Sequence, residues 1–241
     1  MSSRIHFISD LHLTKDRPEN TQRFLAYLAS LSQPIKSLYI LGDLFDVWIG
    51  DDDQTPPNNE IKQALRSVSD RGISIYFIAG NRDFLIGQQF FKETGITCLK
   101  DSYVIDLFGT KALLMHGDLL CTDDVQYQQF RQLTHQTSWQ QDLLSKSLEE
   151  RLAIAQHYRS ESHLNKAEKS TDIMDVNQQA VIDHMEKTGV QLLIHGHTHR
   201  PAEHSLVVNN TPAKRIVLAE WDTDGSILEW TATGHSTLSL L

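Results

Sequence analysis

Cysteine is scarce in this chain: Cys98 and Cys121 are the only two in 241 residues. Two thiols do not make a disulfide framework, and unpaired cysteines suit a reducing cytoplasm. No run approaches the ~20 apolar residues of a membrane span. The opening Met1-Ser2-Ser3-Arg4-Ile5 lacks the apolar core of a signal peptide. A soluble or peripheral protein is expected. Positive charge is short as well, with 22 Lys and Arg against 31 Asp and Glu and a formal net charge of -9. The basic face of a nucleic-acid binder is therefore not expected. An anionic substrate stays open, because bound divalent cations reverse the local sign.

What is present is an ordinary globular balance, 40% hydrophobic and 22% charged. The length suits one large domain or a domain with an insertion. Short β-rich runs recur at Ile5–Ser9, Leu38–Leu41, Ile73–Ala79, Val104–Leu107, Ala112–Met115 and Leu192–Ile194. A helical stretch near Thr21–Leu31 and an Ile61/Leu65/Val68 stripe lie between the first of them. The tail Ser205–Trp230 reads as strands, with turns at Asn209-Asn210 and Asp224-Gly225. This mixture predicts a layered α/β domain with sheet inside and helices outside.

From Asp123 to about Gly189 no strand signal occurs. Leu148, Leu152 and Ala155 fall at helical spacing, as do Ile173, Val176, Ala180 and Met185 before Gly189. The stretch reads as a helical insertion between two strands, about 123–189 in a single domain of 1–241. It is rich in Gln and in basic residues. Both a substrate cap and a merely solvated helical pair fit that composition.

Five apolar runs end alike. Ile8-Ser9-Asp10-Leu11-His12, Ile40-Leu41-Gly42-Asp43, Ala79-Gly80-Asn81-Arg82-Asp83, Leu114-Met115-His116-Gly117-Asp118 and Ile194-His195-Gly196-His197-Thr198-His199 each put a ligand-type residue just after the run. Open α/β sheets place ligands beyond the carboxyl ends of their strands, so these residues converge on one rim. In extended backbone, residues i and i+2 point the same way, so Asp10 and His12 are expected to share a metal, and His197 and His199 stand in the same relation. The set of two Asp, one Asn and four His contains no thiolate, which argues against a structural zinc site. It suits Mn²⁺, Fe²⁺, Co²⁺, Ni²⁺ or Zn²⁺. Seven ligands exceed what one metal normally takes from a protein. Two metals ~3.5–4 Å apart would use them and clamp a phosphoryl group. His195 reads either as a brace for the histidine pair or as a core histidine.

Together these motifs resemble the calcineurin-like metallophosphoesterase superfamily over nearly the whole chain. The resemblance implies a sandwich of two mixed β-sheets flanked by helices, with the insertion as a helical cap. It implies Asp10, His12 and His199 on one metal, Asn81, His116 and His197 on the second, and Asp43 bridging. Asp43, Asn81, Arg82 and His116 are the implied catalytic group.

The superfamily usually has His after the motif Asn, where this chain has Arg82. Arg is too basic to be a general acid but pairs with phosphate oxygens bidentately. A leaving group that needs charge neutralisation rather than a proton is expected, and phosphate fits, since its last pKa is only ~6. Longer strings sharpen the resemblance to one subfamily, the UDP-2,3-diacylglucosamine pyrophosphohydrolases of lipid A biosynthesis. They are Leu44–Asp52, Asn81–Leu85, His116–Asp124, Ile173–Gln178 and Ile194–Pro201, with Asp46 standing where Glu is expected. That subfamily implies attack of water, activated by two Mn²⁺ ions, on the α-phosphorus of UDP-2,3-diacylglucosamine. The products would be UMP and 2,3-diacylglucosamine 1-phosphate (lipid X). It also implies substrate contacts from Asn81, Arg82, Asp124, Arg159, Ser162, Lys166, Lys169 and His197. The implied location is cytoplasmic and peripheral on the inner membrane, with the lipid-linked UDP-sugar as partner and no nucleic-acid or protein partner. Tyr127, Phe130 and Leu133 read either as acyl-groove lining or as ordinary helix packing. A pyrophosphatase of soluble nucleotides would share the metals without needing a lipid groove.

Overall fold

The computed structural model describes residues 3–168, 175–222 and 225–240, excluding the side chains of 161–168. The chain alternates at first: β1 (Arg4–Ile8), α1 (Pro18–Ser30), β2 (Ile35–Leu41), α2 (Asn58–Asp70), β3 (Ser74–Ile78), α3 (Gln88–Thr94), β4 (Thr97–Cys98). A hairpin follows, β5 (Ser102–Leu107) and β6 (Thr110–Met115). Four helices come next, α4 (Val125–Thr134), α5 (Thr137–Leu144), α6 (Leu148–Glu168) and α7 (Gln178–Thr188). The chain closes with β7 (Leu192–His195), β8 (Ala202–Val208), β9 (Thr211–Val217), β10 (Gly225–Thr231) and β11 (Gly234–Leu240).

The strands form two mixed sheets. One has the order β11-β10-β1-β2-β3-β4, the other β5-β6-β7-β9-β8. β1 through β4 pair in parallel, as do β6-β7 and β7-β9, while the outer pairs β10-β11 and β8-β9 are antiparallel. The sheets stack face to face through Phe7, Leu41 and Ile78 of one and Leu107, Leu114 and Ile194 of the other. Both faces of each central strand are therefore covered, and β1 and β2 read as nearly continuous buried apolar runs.

Helices cover the outer faces. On the first sheet, Ile61, Leu65 and Val68 of α2 form one apolar stripe and join Phe24, Leu28 and Phe90 in a core. On the second sheet, Val181 and Met185 of α7 pack with Leu113, Met115 and Leu193. α7 starts where the Asn177 side chain accepts the Ala180 N–H at 3.0 Å and stops at Gly189, whose φ is 69°. Each fully buried Leu or Phe in these layers contributes roughly 1.5–3 kcal/mol.

Among the described residues from Asp123 to Gly189 there is no strand, only α4 to α7 and their connections, in line with the helical spacing. The short elements α3 and β4 escaped the sequence reading: seven and two residues are too few for a periodic signal. Cys98 is exposed and Cys121 buried, and both are free. Among the described residues no helix is long and apolar enough to cross a membrane.

Candidate metal centre

The rim beyond β1, β2, β3, β6 and β7 gathers all seven ligand-type residues. Adjacent strand ends are stitched together by backbone: Asp10 N–H donates to the Gly42 carbonyl at 3.1 Å and His12 N–H to that of Asp43 at 3.0 Å. Gly196 N–H donates to the His116 carbonyl at 2.7 Å. Gly42 sits at φ 89°, and a Cβ there would meet His116 Nδ1 at 2.5 Å. A Cβ on Gly196 would run into Ser9 Oγ and Asp10 Oδ2. Only glycine lets the loops approach this closely.

Eight non-glycine residues have positive φ among the described residues, and five of them are Asp10, His12, Asp43, His197 and His199. Left-handed backbone at such positions costs of order 1–3 kcal/mol each and concentrates where function requires it. It also corrects the strand-alternation argument. Asp10 and His12 do converge, but from a left-handed turn rather than an extended segment. His197 and His199 diverge: His197 Nδ1 lies 2.9 Å from Asn81 Oδ1, whereas His199 Nε2 lies 3.4 Å from Asp10 Oδ1.

Two groups result, each with potential ligand atoms within 4.8 Å of one another: Asp10, His12 and His199, and Asp10, Asp43 and His116. Asp43 faces both, Oδ2 at 3.9 Å from His12 Nδ1 and Oδ1 at 3.7 Å from His116 Nε2. Asn81 Oδ1 joins the second group, 3.0 Å from His116 Nε2. His116 is aimed by Nδ1, which lies 2.8 Å from the Leu41 carbonyl.

The electrostatics of this cluster suit a cation. Asp10 and Asp43 are both buried. Burial, with Asp83 and Asp10 nearby, pushes the Asp43 carboxyl up to about 7, against the opposing pull of His116. His116 is raised to about 9: burial opposes its charge, and the Asp43, Asp10 and Asp118 carboxylates overcome that. Burial drives His12 down to about 3. Asp10 Oδ1 and His12 Nδ1 are buried without a hydrogen-bond partner. Orphaned donors and acceptors of this kind are costly unless something else meets them. A carboxylate oxygen and an imidazole nitrogen are both divalent-cation ligands, so the residues fit a metal.

Other expected residues lie around this rim. Arg82 donates its backbone N–H to Asp43 Oδ1 at 2.9 Å. Among the described residues its guanidinium has no hydrogen bond or ion pair, and its charge is felt at both His12 and Asp43. Asp124 caps α4, accepting the Tyr127 N–H at 3.1 Å. Arg159, on α6, makes a forked pair with Asp46 at 2.6 and 3.1 Å. Ser162 and Lys166 lie on α6 with side chains outside the described residues, and Lys169 lies outside them altogether. His195 is buried, its Nδ1 2.8 Å from the Gly196 carbonyl and its Nε2 3.3 Å from Arg215 Nη1. Burial lowers it to about 4.

Sequence reading missed three supports. Asp83 is fully buried and accepts the Gly80 and Leu44 N–H groups at 2.8 and 2.7 Å, pinning two ligand loops to each other. Asp118 accepts Tyr127 Oη–H at 2.7 Å and Arg131 Nε–H at 2.6 Å, tying α4 to the His116 loop. Glu220 Oε2 lies 2.5 Å from His199 Nδ1. Asp83 and Asp118 had a signal in their place inside the ligand motifs. Glu220 had none.

Residues 3–201 match the family described as calcineurin-like phosphoesterase. UDP-2,3-diacylglucosamine hydrolases of Escherichia fergusonii and of Shigella boydii serotype 18 are each 50% identical over 226 residues, covering 94% of this chain and 94% of theirs. A solved archaeal phosphodiesterase aligns over 98% of this chain and 99% of its own at 12% identity and a TM-score of 0.48. With its two mixed sheets and the match over residues 3–201, this chain belongs to the calcineurin-like phosphoesterase family.

Proposed function

We propose that the protein hydrolyses the pyrophosphate bond of UDP-2,3-diacylglucosamine, giving UMP and 2,3-diacylglucosamine 1-phosphate for lipid A synthesis. The observation that carries the chemistry is the buried rim itself, where Asp10 Oδ1 and His12 Nδ1 have no hydrogen-bond partner among the described residues and the charge of Arg82 is felt at His12. The relatives' 50% identity along the chain supports the substrate.

Asp10, His12 and His199 would hold one Mn²⁺, Asn81, His116 and His197 the other, with Asp43 between them. When bound, the pair supplies Lewis acidity to phosphate oxygens and a nucleophile at neutral pH. The oxygen of water adds to the α-phosphorus and its proton is released to solvent, the bond from that phosphorus to the bridging oxygen breaks, and the sugar phosphate leaves with the bridging oxygen and its electron pair. Arg82 meets the charge that develops on the leaving phosphate, which needs no general acid because its last pKa is only ~6. Asn81 and His197 orient phosphate oxygens from the rim.

Within about 123–189, α4 to α6 form the cap of the single domain, while α7 packs on the second sheet. Tyr127, Phe130 and Leu133 of α4 serve the acyl chains, and Asp124 before it with Arg159, Ser162 and Lys166 of α6 the polar half of the substrate; Lys169, assigned to the same half, lies outside the described residues. The lipid substrate brings the protein to the cytoplasmic face of the inner membrane as a peripheral protein. Mass spectrometry after incubation with Mn²⁺ tests this reading. UMP and the diacylated sugar phosphate are expected from the lipid substrate, with little turnover of soluble UDP-N-acetylglucosamine. Faster turnover of the soluble sugar would contradict it.

A further inference from the structure

The two faces of the His199 ring meet opposite surroundings. Nε2 looks into the rim, 3.4 Å from Asp10 Oδ1 and 3.2 Å from His12 Nε2. Nδ1 looks outward, 2.5 Å from the Glu220 carboxylate. A ligating imidazole nitrogen carries no proton, so the single proton of a neutral ring belongs on the other nitrogen. The ring orientation therefore puts N–H against a carboxylate and a lone pair toward Asp10 and His12.

Glu220 is held where it can do this. Just before it, Leu218 N–H donates to the His195 carbonyl at 2.7 Å, and just after it, Trp221 N–H donates to the Asp10 carbonyl at 3.1 Å. Trp221 is itself buried. The segment is thus laced to the β7 and β1 loops on either side of the carboxylate. In the second group, the ring that plays the matching part is His116, whose Nδ1 lies 2.8 Å from the neutral Leu41 carbonyl. A carboxylate raises the basicity of the distal nitrogen more than a carbonyl does, because the contact is charge-assisted.

We infer that Glu220 is a positioning residue for His199, fixing its tautomer and making the Asp10–His12–His199 group the tighter of the two cation positions. The inference deepens the two-metal reading and rests on it. Glu220→Ala removes both charge and acceptor, whereas Glu220→Gln keeps an oxygen for the N–H and loses the charge.

Calorimetric titration of the metal-free full chain with Mn²⁺ alone tests this. The wild type is expected to show two unequal sites. Glu220→Ala should weaken the tighter one about 10–100-fold and leave the other near its wild-type affinity, the range typical of groups that orient a metal-ligating histidine. Glu220→Gln should fall between. In a His199→Ala background, Glu220→Ala should add nothing, since its effect runs through that ring. Wild-type affinities at both sites in Glu220→Ala, equal weakening of both, or a full effect without His199 would overturn the inference while sparing the two-metal reading. No Mn²⁺ binding by the wild type would remove both.

Discussion

The strand-end rim and helices α4 to α6, the proposed cap, are built by different physics. The rim residues Asp10, His12, Asp43 and His116 are buried, and backbone hydrogen bonds between neighbouring strand ends fix them. The cap leaves Val125, Leu133, Leu144, Leu148 and Leu152 exposed, half of the exposed large hydrophobics among the described residues. It is fastened by side chains. Arg151 forks onto Asp52 at 2.7 and 2.7 Å, Arg159 forks onto Asp46, and Arg131 bridges Asp118 and Asp101. Aromatic contacts add to these, among them Phe130 with Tyr158 at 4.8 Å and Phe84 with His135 at 5.0 Å between ring centroids. A rim fixed by the sheet suits chemistry with tight geometric demands, while helices held by a few pairs suit the proposed recognition of a large, flexible substrate.

Changing the rim should have the largest effect. Asp43→Asn removes the charge that faces both ligand groups and is expected to lower kcat by more than about 10³-fold, ~4 kcal/mol. Metal analysis of the purified variant should show loss of bound Mn²⁺. Wild-type kcat with two metals bound would break the comparison at its strongest point.

Arg82 comes next, as the side chain proposed to meet the leaving group. Arg82→Ala is expected to cost about 10²–10³-fold in kcat, the range for losing one group that stabilises developing charge. Arg82→Lys should recover only part of it, because the planar fork is gone. Steady-state rates on the lipid substrate decide, and full rescue by lysine would mean that a point charge is enough.

Cap substitutions should be smaller and selective. Each of Phe130→Ser and Leu133→Ser removes apolar surface worth up to ~1.5–3 kcal/mol. An increase of roughly tenfold or more in KM for the diacylated substrate is expected, with Mn²⁺ binding unchanged. The smallest effect belongs to the fastenings. Arg151 is buried, but the Asp52 side chain is 56% exposed. Asp52→Asn should therefore cost no more than about 1 kcal/mol in thermal unfolding. A larger loss would show that the cap is part of the folding core and not an appendage to it.

The rim was legible because each apolar run ends in a ligand, a pattern that survives without any knowledge of the strand order. That His197 turns toward Asn81 and His199 toward Asp10 was legible only through family resemblance. Alternation puts them on one side, and only their positive φ values, 72° and 54°, turn them apart. Glu220 was illegible because its partner is remote in sequence, and a lone acid between Ala219 and Trp221 has no pattern to betray it. Helical character in 123–189 could be read from spacing, but the packing of α7 on the second sheet could not. The same Val181 and Met185 stripe would suit either a cap or a sheet face. Arg159 was expected at the substrate, and its pairing with Asp46 depends on residues more than a hundred positions apart.

The most direct test is kcat/KM for two substrates measured on the same set of variants: the diacylated UDP-sugar and bis(4-nitrophenyl) phosphate, a small activated diester that needs only the metals. If the rim does the chemistry and the cap selects the lipid, Asp43→Asn abolishes turnover of both. Phe130→Ser combined with Leu133→Ser then lowers only the lipid rate, by about tenfold or more. An equal fall on both substrates in the cap variant would contradict the account.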